Sequence, residues 1–276
     1  MLKRSQLNQA FKKKYFKNAI HHSADQFGAI QVIDDGRVRS LHFDAVEKQS
    51  AMDLEHPENL ILSYTVYMMS GFLFNPSAAR ILCIGLGGAS IPRFLAHFLS
   101  ACRVDVVEIR QEVIDIARKY FFLPNDQRFR YFKEDAATFV VRQDLDTYDM
   151  ILVDAYDEQG VATSVTESRF FHACAAMLAA KGIFCINIWS HPSHIYHDVL
   201  QEIRNQFGSW VFELAVKDRT NRIILGVHPE GPKPSLQLLK KRSQTLESEL
   251  KLPFFEILKS LVKNNSALFK AIKLAT

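Results

Sequence analysis

Arg80-Ile81-Leu82-Cys83-Ile84-Gly85-Leu86-Gly87-Gly88-Ala89-Ser90-Ile91-Pro92 is the stretch that decides the fold. Four apolar residues run into three glycines within four positions, and an amphipathic run over residues 91–99 follows with Pro92 in its first turn. That is a strand, a sharp turn and a helix start. Glycines let the backbone turn tightly and approach a ligand, and a helix N-terminus offers free N–H groups. The stretch therefore reads as a nucleotide-cofactor loop. It can also be a plain strand–helix turn, because Ser90 stands at the third glycine position of the dinucleotide fingerprint.

Downstream, short apolar runs at residues 104–109, 129–132, 150–153 and 183–188 alternate with helical periodicity at 112–121, 136–142 and 168–178. Strands spaced by helices build a parallel sheet. Residues 210–216 and 222–227 are separated by Lys217-Asp218-Arg219-Thr220-Asn221 and predict an antiparallel hairpin at the sheet edge. Upstream, residues 27–33 and 38–43 flank Asp34-Asp35-Gly36, a turn signal, so a small β-hairpin module precedes the sheet. A helix over residues 57–74 joins the two. After Gly231-Pro232-Lys233-Pro234 the tail is helical and amphipathic, interrupted at Pro253. The expected division is an N-terminal extension and hairpin module at 1–56, an α/β Rossmann-like cofactor domain at 57–230, and a basic helical tail at 231–276.

The composition agrees with a folded chain: 276 residues, 48% hydrophobic and 23% charged. Cys83, Cys102, Cys174 and Cys185 are spaced by 19, 72 and 11 residues, which fits no zinc or redox pattern and reads as buried reduced thiols in a cytoplasmic protein. The uncharged run from Asn59 to Ala79 has polar side chains throughout, so it predicts a buried helix and no membrane span. The basic, polar N-terminus has no secretory signal character. Net charge is +4, with +5 in residues 1–30 and +6 in residues 231–276, so the middle of the chain is acidic. Basic ends of this kind are solvated helix faces or contacts for nucleic acid and anionic lipid. We expect no nucleic-acid or membrane partner. An acidic middle whose charges face one cleft would attract a cationic substrate.

Glu108 ends the second strand of the alternating series, 21 residues past Gly87, where a carboxylate can accept both ribose hydroxyls of a nicotinamide or S-adenosyl cofactor. The third strand leads into Glu134-Asp135-Ala136, where Asp135 can accept from an adenine amino group, cap the next helix, or do both. Together with the loop, these residues favour an S-adenosyl ligand. The fourth strand runs through Tyr148-Asp149-Met150-Ile151-Leu152-Val153 into Asp154-Ala155-Tyr156-Asp157. In open parallel sheets ligands sit beyond the carboxyl ends of the strands, so Asp154 and Asp157 would face the transferred group, hold an ammonium and take its proton. His191, His194 and His197 recur at helical spacing but lack a carboxylate or Cys to complete a metal set.

From about Phe27 to Trp189 the chain resembles the spermidine synthase family of aminopropyltransferases, which share the class I methyltransferase fold. The resemblance is carried by Val107-Glu108-Ile109, by Val113-Ile114-Asp115-Ile116-Ala117-Arg118-Lys119-Tyr120-Phe121, by the Tyr148–Asp154 strand and by Asp157. It implies a methyltransferase-type sheet and a homodimer. It also implies transfer of an aminopropyl group from decarboxylated S-adenosylmethionine to a small-molecule amine. Gln49, Gly85, Gly87, Gly88, Glu108, Asp135 and Ala136 would hold the nucleoside, Asp154, Asp157 and Tyr156 would act on the amine, and no metal is needed. Five positions depart from the family pattern. Gly88 replaces an Asp that pairs with the cofactor amine, Glu158 replaces a Pro after the gate-loop Asp, Tyr64-Thr65 replaces a His-Glu or Gln-Glu pair, and Asn187 replaces a Gln. Gly88 in particular implies weak rejection of ordinary S-adenosylmethionine, so a small-molecule methyltransferase is the alternative. A non-catalytic nucleoside-binding homologue is the third reading.

Overall fold

The structure is a computed structural model that describes residues 18–43, 48–142, 146–157, 160–217, 219–231 and 233–274. An antiparallel sheet comes first, ordered β1 (Ala19–Asp25), β2 (Gly28–Asp35), β3 (Val38–Phe43) and β4 (Ser50–Asp53). The hairpin expected over residues 27–43 is its centre. β1 and β4 escaped the sequence because one is a polar edge strand and the other has four small or mixed residues.

The expected 57–74 helix is shorter. Leu62 is extended, α1 covers Ser63–Met68, and a 3₁₀ turn over Met69–Leu73 follows. Gly71 sits in that tightened turn, where a Cβ would come 3.0 Å from Met150 Cε on the main sheet.

The main sheet contains β5 (Arg80–Ile84), β6 (Arg103–Glu108), β7 (Phe129–Lys133) and β8 (Tyr148–Val153). A two-residue pair, β9 (Tyr156–Asp157) with β10 (Gly160–Val161), follows, and the sheet continues with β11 (Leu178–Trp189), β12 (Val211–Ala215) and β13 (Asn221–Val227). Its order is β12-β13-β11-β8-β5-β6-β7, with β7, β6, β5, β8 and β11 mutually parallel and β13 antiparallel to both its neighbours. The chain steps outward from β5 to β7 and then returns to lay β8 on the other side of β5. This reversal opens a crevice at the carboxyl ends of β5 and β8, the place where such sheets bind ligands.

Pleating sends alternate side chains to opposite faces. Ile81 and Cys83 of β5 join the core beneath α2 (Ser90–Phe98) and α3 (Gln111–Tyr120), and Leu82 and Ile84 join the core on the other side. That second face is covered by α4 (Ala136–Phe139), α5 (Ser168–Ala176) and α6 (Ser193–Phe207). α4 is a single turn, shorter than the expected 136–142. All four cysteines are buried and unpaired.

The tail folds as α7 (Leu236–Leu250), α8 (Phe254–Asn264) and α9 (Ser266–Leu274). Leu239, Leu246, Phe254, Ile257 and Leu261 bury into the same core as Phe72, Phe74 and Phe212. The Arg242 guanidinium donates to the carbonyls of Leu73 and Phe74 at 2.9 and 2.8 Å. Among the described residues no helix is long and apolar enough to cross a membrane.

Candidate active site

A cavity of about 1050 Å³ opens at the crevice between β5 and β8 and is roofed by the N-terminal sheet. Gly85 leaves β5 with φ +92°, and a Cβ there would lie 2.2 Å from the Asp154 carbonyl oxygen. Only glycine lets the two strand ends come this close. The Gly85 N–H still donates to Val107 O and the Asp154 N–H to Ile84 O, each at 2.8 Å, so sheet pairing fixes where both residues stand. Gly87 (φ +52°) carries the loop on along the cavity wall.

Glu108 closes β6 on the same wall. Its Oε2 accepts the Leu86 N–H at 3.1 Å and its Oε1 the Arg110 N–H at 2.9 Å. Burial pushes its carboxyl above the ordinary value, against the backbone N–H groups of Arg110, Leu86 and Gly87. The carboxylate is thereby held in one orientation on the cavity wall. Asp135 lines the cavity and caps α4, its Oδ1 accepting the Thr138 N–H at 3.1 Å. Ala136 and Gln49 also line the cavity, and the Gln49 carbonyl accepts the Tyr64 hydroxyl at 3.1 Å.

Gly88 stands elsewhere. It does not line the cavity, and a Cβ on it would meet Ser50 Oγ at 2.8 Å and both Ser50 Cβ and Phe121 Cδ1 at 3.0 Å. The Ser50 hydroxyl is bonded to the Ser90 hydroxyl at 3.0 Å, and buried Arg93 donates to the Gly88 carbonyl. A side chain at Gly88 would therefore press on β4 and Phe121 and would not enter the cavity.

Asp154 enters the cavity from the end of β8. Its Oδ1 accepts Asn187 Nδ2 at 2.9 Å, and the Tyr64 hydroxyl faces the same carboxylate. Burial raises its proton affinity, which these two donors oppose. Burial, and then the Asp154 charge, push the phenols of Tyr64 and Tyr156 far up, so both stay protonated. The Tyr156 hydroxyl donates to the Asn187 carbonyl at 3.1 Å, and its ring lies 5.1 Å from the Trp189 ring. Asp157 is paired through its backbone with Gly160, and its side chain lies outside the described residues. Among the described residues no three His, Cys, Asp or Glu side chains converge as a metal site.

Three residues escaped the sequence reading as site residues. Tyr64 and Asn187 are visible only as departures from the family pattern; Tyr64 supplies a half-buried hydroxyl beside Asp154 and Asn187 an amide that donates to it. Asn221 gave no signal, because the register of β13 on β11 is what brings it beside Asn187.

Residues 63–218, more than half of the chain, match the family model for the spermine/spermidine synthase domain. The chain belongs to the spermine/spermidine synthase family. Among the relatives of this family, the polyamine aminopropyltransferase of Chromobacterium violaceum is 31% identical over 250 residues, covering 91% of this chain and 95% of that protein. Putrescine N-methyltransferase 2 of Nicotiana attenuata is 34% identical over 165 residues, covering 56% of this chain and 43% of that protein. The structure of spermidine synthase from Thermotoga maritima superposes with a TM-score of 0.70 at 17% identity, covering 93% of this chain and 88% of that one, which speaks for the fold alone. The spermidine synthase fold, with its N-terminal antiparallel sheet and mostly parallel seven-stranded sheet, is the one the sequence predicts.

Proposed function

We propose that the protein is a polyamine aminopropyltransferase that moves the aminopropyl group of decarboxylated S-adenosylmethionine onto a small-molecule amine. The observation that carries this reading is one cavity lined by both Glu108 and Asp154: a carboxylate held by backbone N–H groups on one wall and a half-buried carboxylate beyond the next strand. The amine lone pair attacks the methylene carbon bonded to the sulfonium, the C–S bond breaks, and its electrons leave with sulfur as neutral methylthioadenosine. The displaced proton passes to Asp154. A sulfonium departs readily, so the protein's task is alignment and proton removal. Gly85, Gly87, Gln49, Asp135 and Ala136 form the nucleoside wall in this reading. Tyr156 and Asp157 stand at the acceptor end, and the enzyme works as a cytoplasmic homodimer.

A second reading is methyl transfer from S-adenosylmethionine, which the likeness to putrescine N-methyltransferase favours. Incubating the full chain with putrescine and each sulfonium in turn distinguishes the two. We expect methylthioadenosine and spermidine from the decarboxylated compound. S-adenosylhomocysteine with N-methylputrescine would establish the second reading, and neither product would leave a nucleoside-binding homologue.

A further inference from the structure

Asn221, the first residue of β13, has no part in the reaction outlined above. Its Nδ2 donates to Asn187 Oδ1 at 2.9 Å, and Asn187 Nδ2 donates to Asp154 Oδ1 at 2.9 Å. A primary amide has one accepting end and one donating end. Engaging its oxygen therefore decides which end meets Asp154. Turned over, Asn187 would present a carbonyl oxygen to a carboxylate, withdrawing a donor from a buried charge and adding lone-pair repulsion. We propose that Asn221 is a positioning residue that locks the Asn187 amide with its N–H groups toward Asp154 and thereby sets the proton affinity of the general base.

The surroundings of Asp154 give this amide its weight. Tyr64 from α1 and Tyr156 from β9 stand beside it, Cys83 from β5 and Cys185 from β11 lie in the core beneath, and burial keeps all four protonated and neutral. His191, Arg219 and Glu108 line other parts of the same cavity. Among the described residues no cation forms an ion pair with Asp154, so hydrogen bonds from Asn187 and Tyr64 are what stabilise its charge. Tyr64 also has the Gln49 carbonyl to serve with its single proton, which leaves Asn187 as the committed donor. The Asn187 side chain is buried at 2% exposure, and its backbone is held on both sides by strand pairing, so the amide can change its end but not its place. Asn221 reaches it diagonally across the β11–β13 pair, where Asn221 lies opposite Trp189.

The catalytic meaning rests on the aminopropyl-transfer reading, but the proton affinity of Asp154 can be measured without it. Asn221→Asp places a pure acceptor beside Asn187 and draws its N–H groups away from Asp154. Asn221→Ala removes the lock without forcing the flip. Following the Asp154 carboxyl carbon by NMR against pH, in the full-length protein, we expect Asn221→Asp to raise its proton affinity by about tenfold, one pH unit. The rise in Asn221→Ala should be smaller. The effect of Asn221→Asp should shrink in an Asn187→Ala background to the direct repulsion of the new charge, and the smaller effect of the uncharged Asn221→Ala should vanish there, since it travels through the amide. In turnover with decarboxylated S-adenosylmethionine and putrescine, the acid limb of kcat should move to higher pH by the same amount, with KM for the nucleoside unchanged. An Asp154 titration unmoved in both single variants, or an Asn221→Ala shift that persists without Asn187, overturns the proposal. A shifted titration in a protein that turns over neither sulfonium overturns the aminopropyl-transfer reading and leaves the positioning role standing.

Discussion

Asp154 must be charged to take a proton from the attacking amine, and its burial works against that charge. Its folded-state proton affinity is raised, so activity should be present above the raised value and lost as pH falls through it, at higher pH than an ordinary carboxylate would show. Asp154→Asn should lower kcat by roughly 10²–10⁴ with nucleoside affinity unchanged. The same sign governs stability: the folded state binds this proton more tightly than the unfolded chain, so ionisation near neutral pH costs stability, and the cost fades as pH falls. The Asn variant should therefore melt no lower than the natural protein at pH 7–8, and a lower melting point would show the carboxylate to be structural. Gly88 illustrates what a motif conceals. Its place in the loop pointed to cofactor selectivity, while three dimensions set it against Ser50 and Phe121. Gly88→Asp should overpack that contact at a cost of about 1–3 kcal/mol, read by denaturant unfolding. Unchanged stability with a gain in preference for the decarboxylated cofactor would return the position to the cavity. Glu108 and Asp135 could be read directly because strand ends and helix starts are local. Tyr64 and Asn221 could not, because contacts made across 90 and 34 residues of sequence bring them to Asp154 and Asn187.

At the level of elements, the parallel strands were legible because both faces are buried and each reads as an unbroken apolar run. β11 begins at Leu178, five residues ahead of its expected start, since Ala179 is half-buried, Ala180 and Lys181 are exposed, and the three carry no strong apolar signal. The tail was legible as amphipathic helix but not in its second break, where Asn265 acts as a strand substitute. Its Oδ1 accepts the Glu213 N–H at 2.9 Å and its Nδ2 donates to the Glu213 carbonyl at 2.7 Å, while Asn264 Oδ1 accepts the Ala215 N–H at 3.0 Å. These bonds satisfy part of the free edge of β12, which would otherwise invite another strand. The hydrophobic half of the same attachment is Phe254, fully buried among the core residues. Phe254→Ala should lower the unfolding free energy by about 3–5 kcal/mol. Urea unfolding that changes by less than about 1 kcal/mol, well below the range for a buried phenylalanine, would mean the tail is an appendage to a core that stands without it.

Across the molecule, the cavity belongs to two sheets at once. Phe27, Val38 and Phe43 of the N-terminal sheet line it together with the strand ends of the main sheet. Two arginines tie the halves, Arg110 to Asp25 and the Gly28 carbonyl and Arg39 to the Tyr120 carbonyl at 2.8 Å, while Arg93 holds the connecting segment through the Pro57 carbonyl at 2.9 Å. A ligand gripped by both walls must stabilise both, so thermal unfolding should remain one transition that moves as a whole. At one hundred times its Kd, methylthioadenosine should add about 2.7 kcal/mol, which for a chain of this size raises Tm by roughly 5–10 °C. NAD at the same concentration should leave Tm unchanged. Glu108→Ala strands ribose hydroxyls that had a charged acceptor, a loss of about 1–3 kcal/mol in affinity. At the original ligand concentration its Tm shift should then fall below about two thirds of the natural one. Two separate transitions, of which ligand moves only one, would show that the N-terminal sheet unfolds on its own and that the nucleoside is held by the main sheet alone.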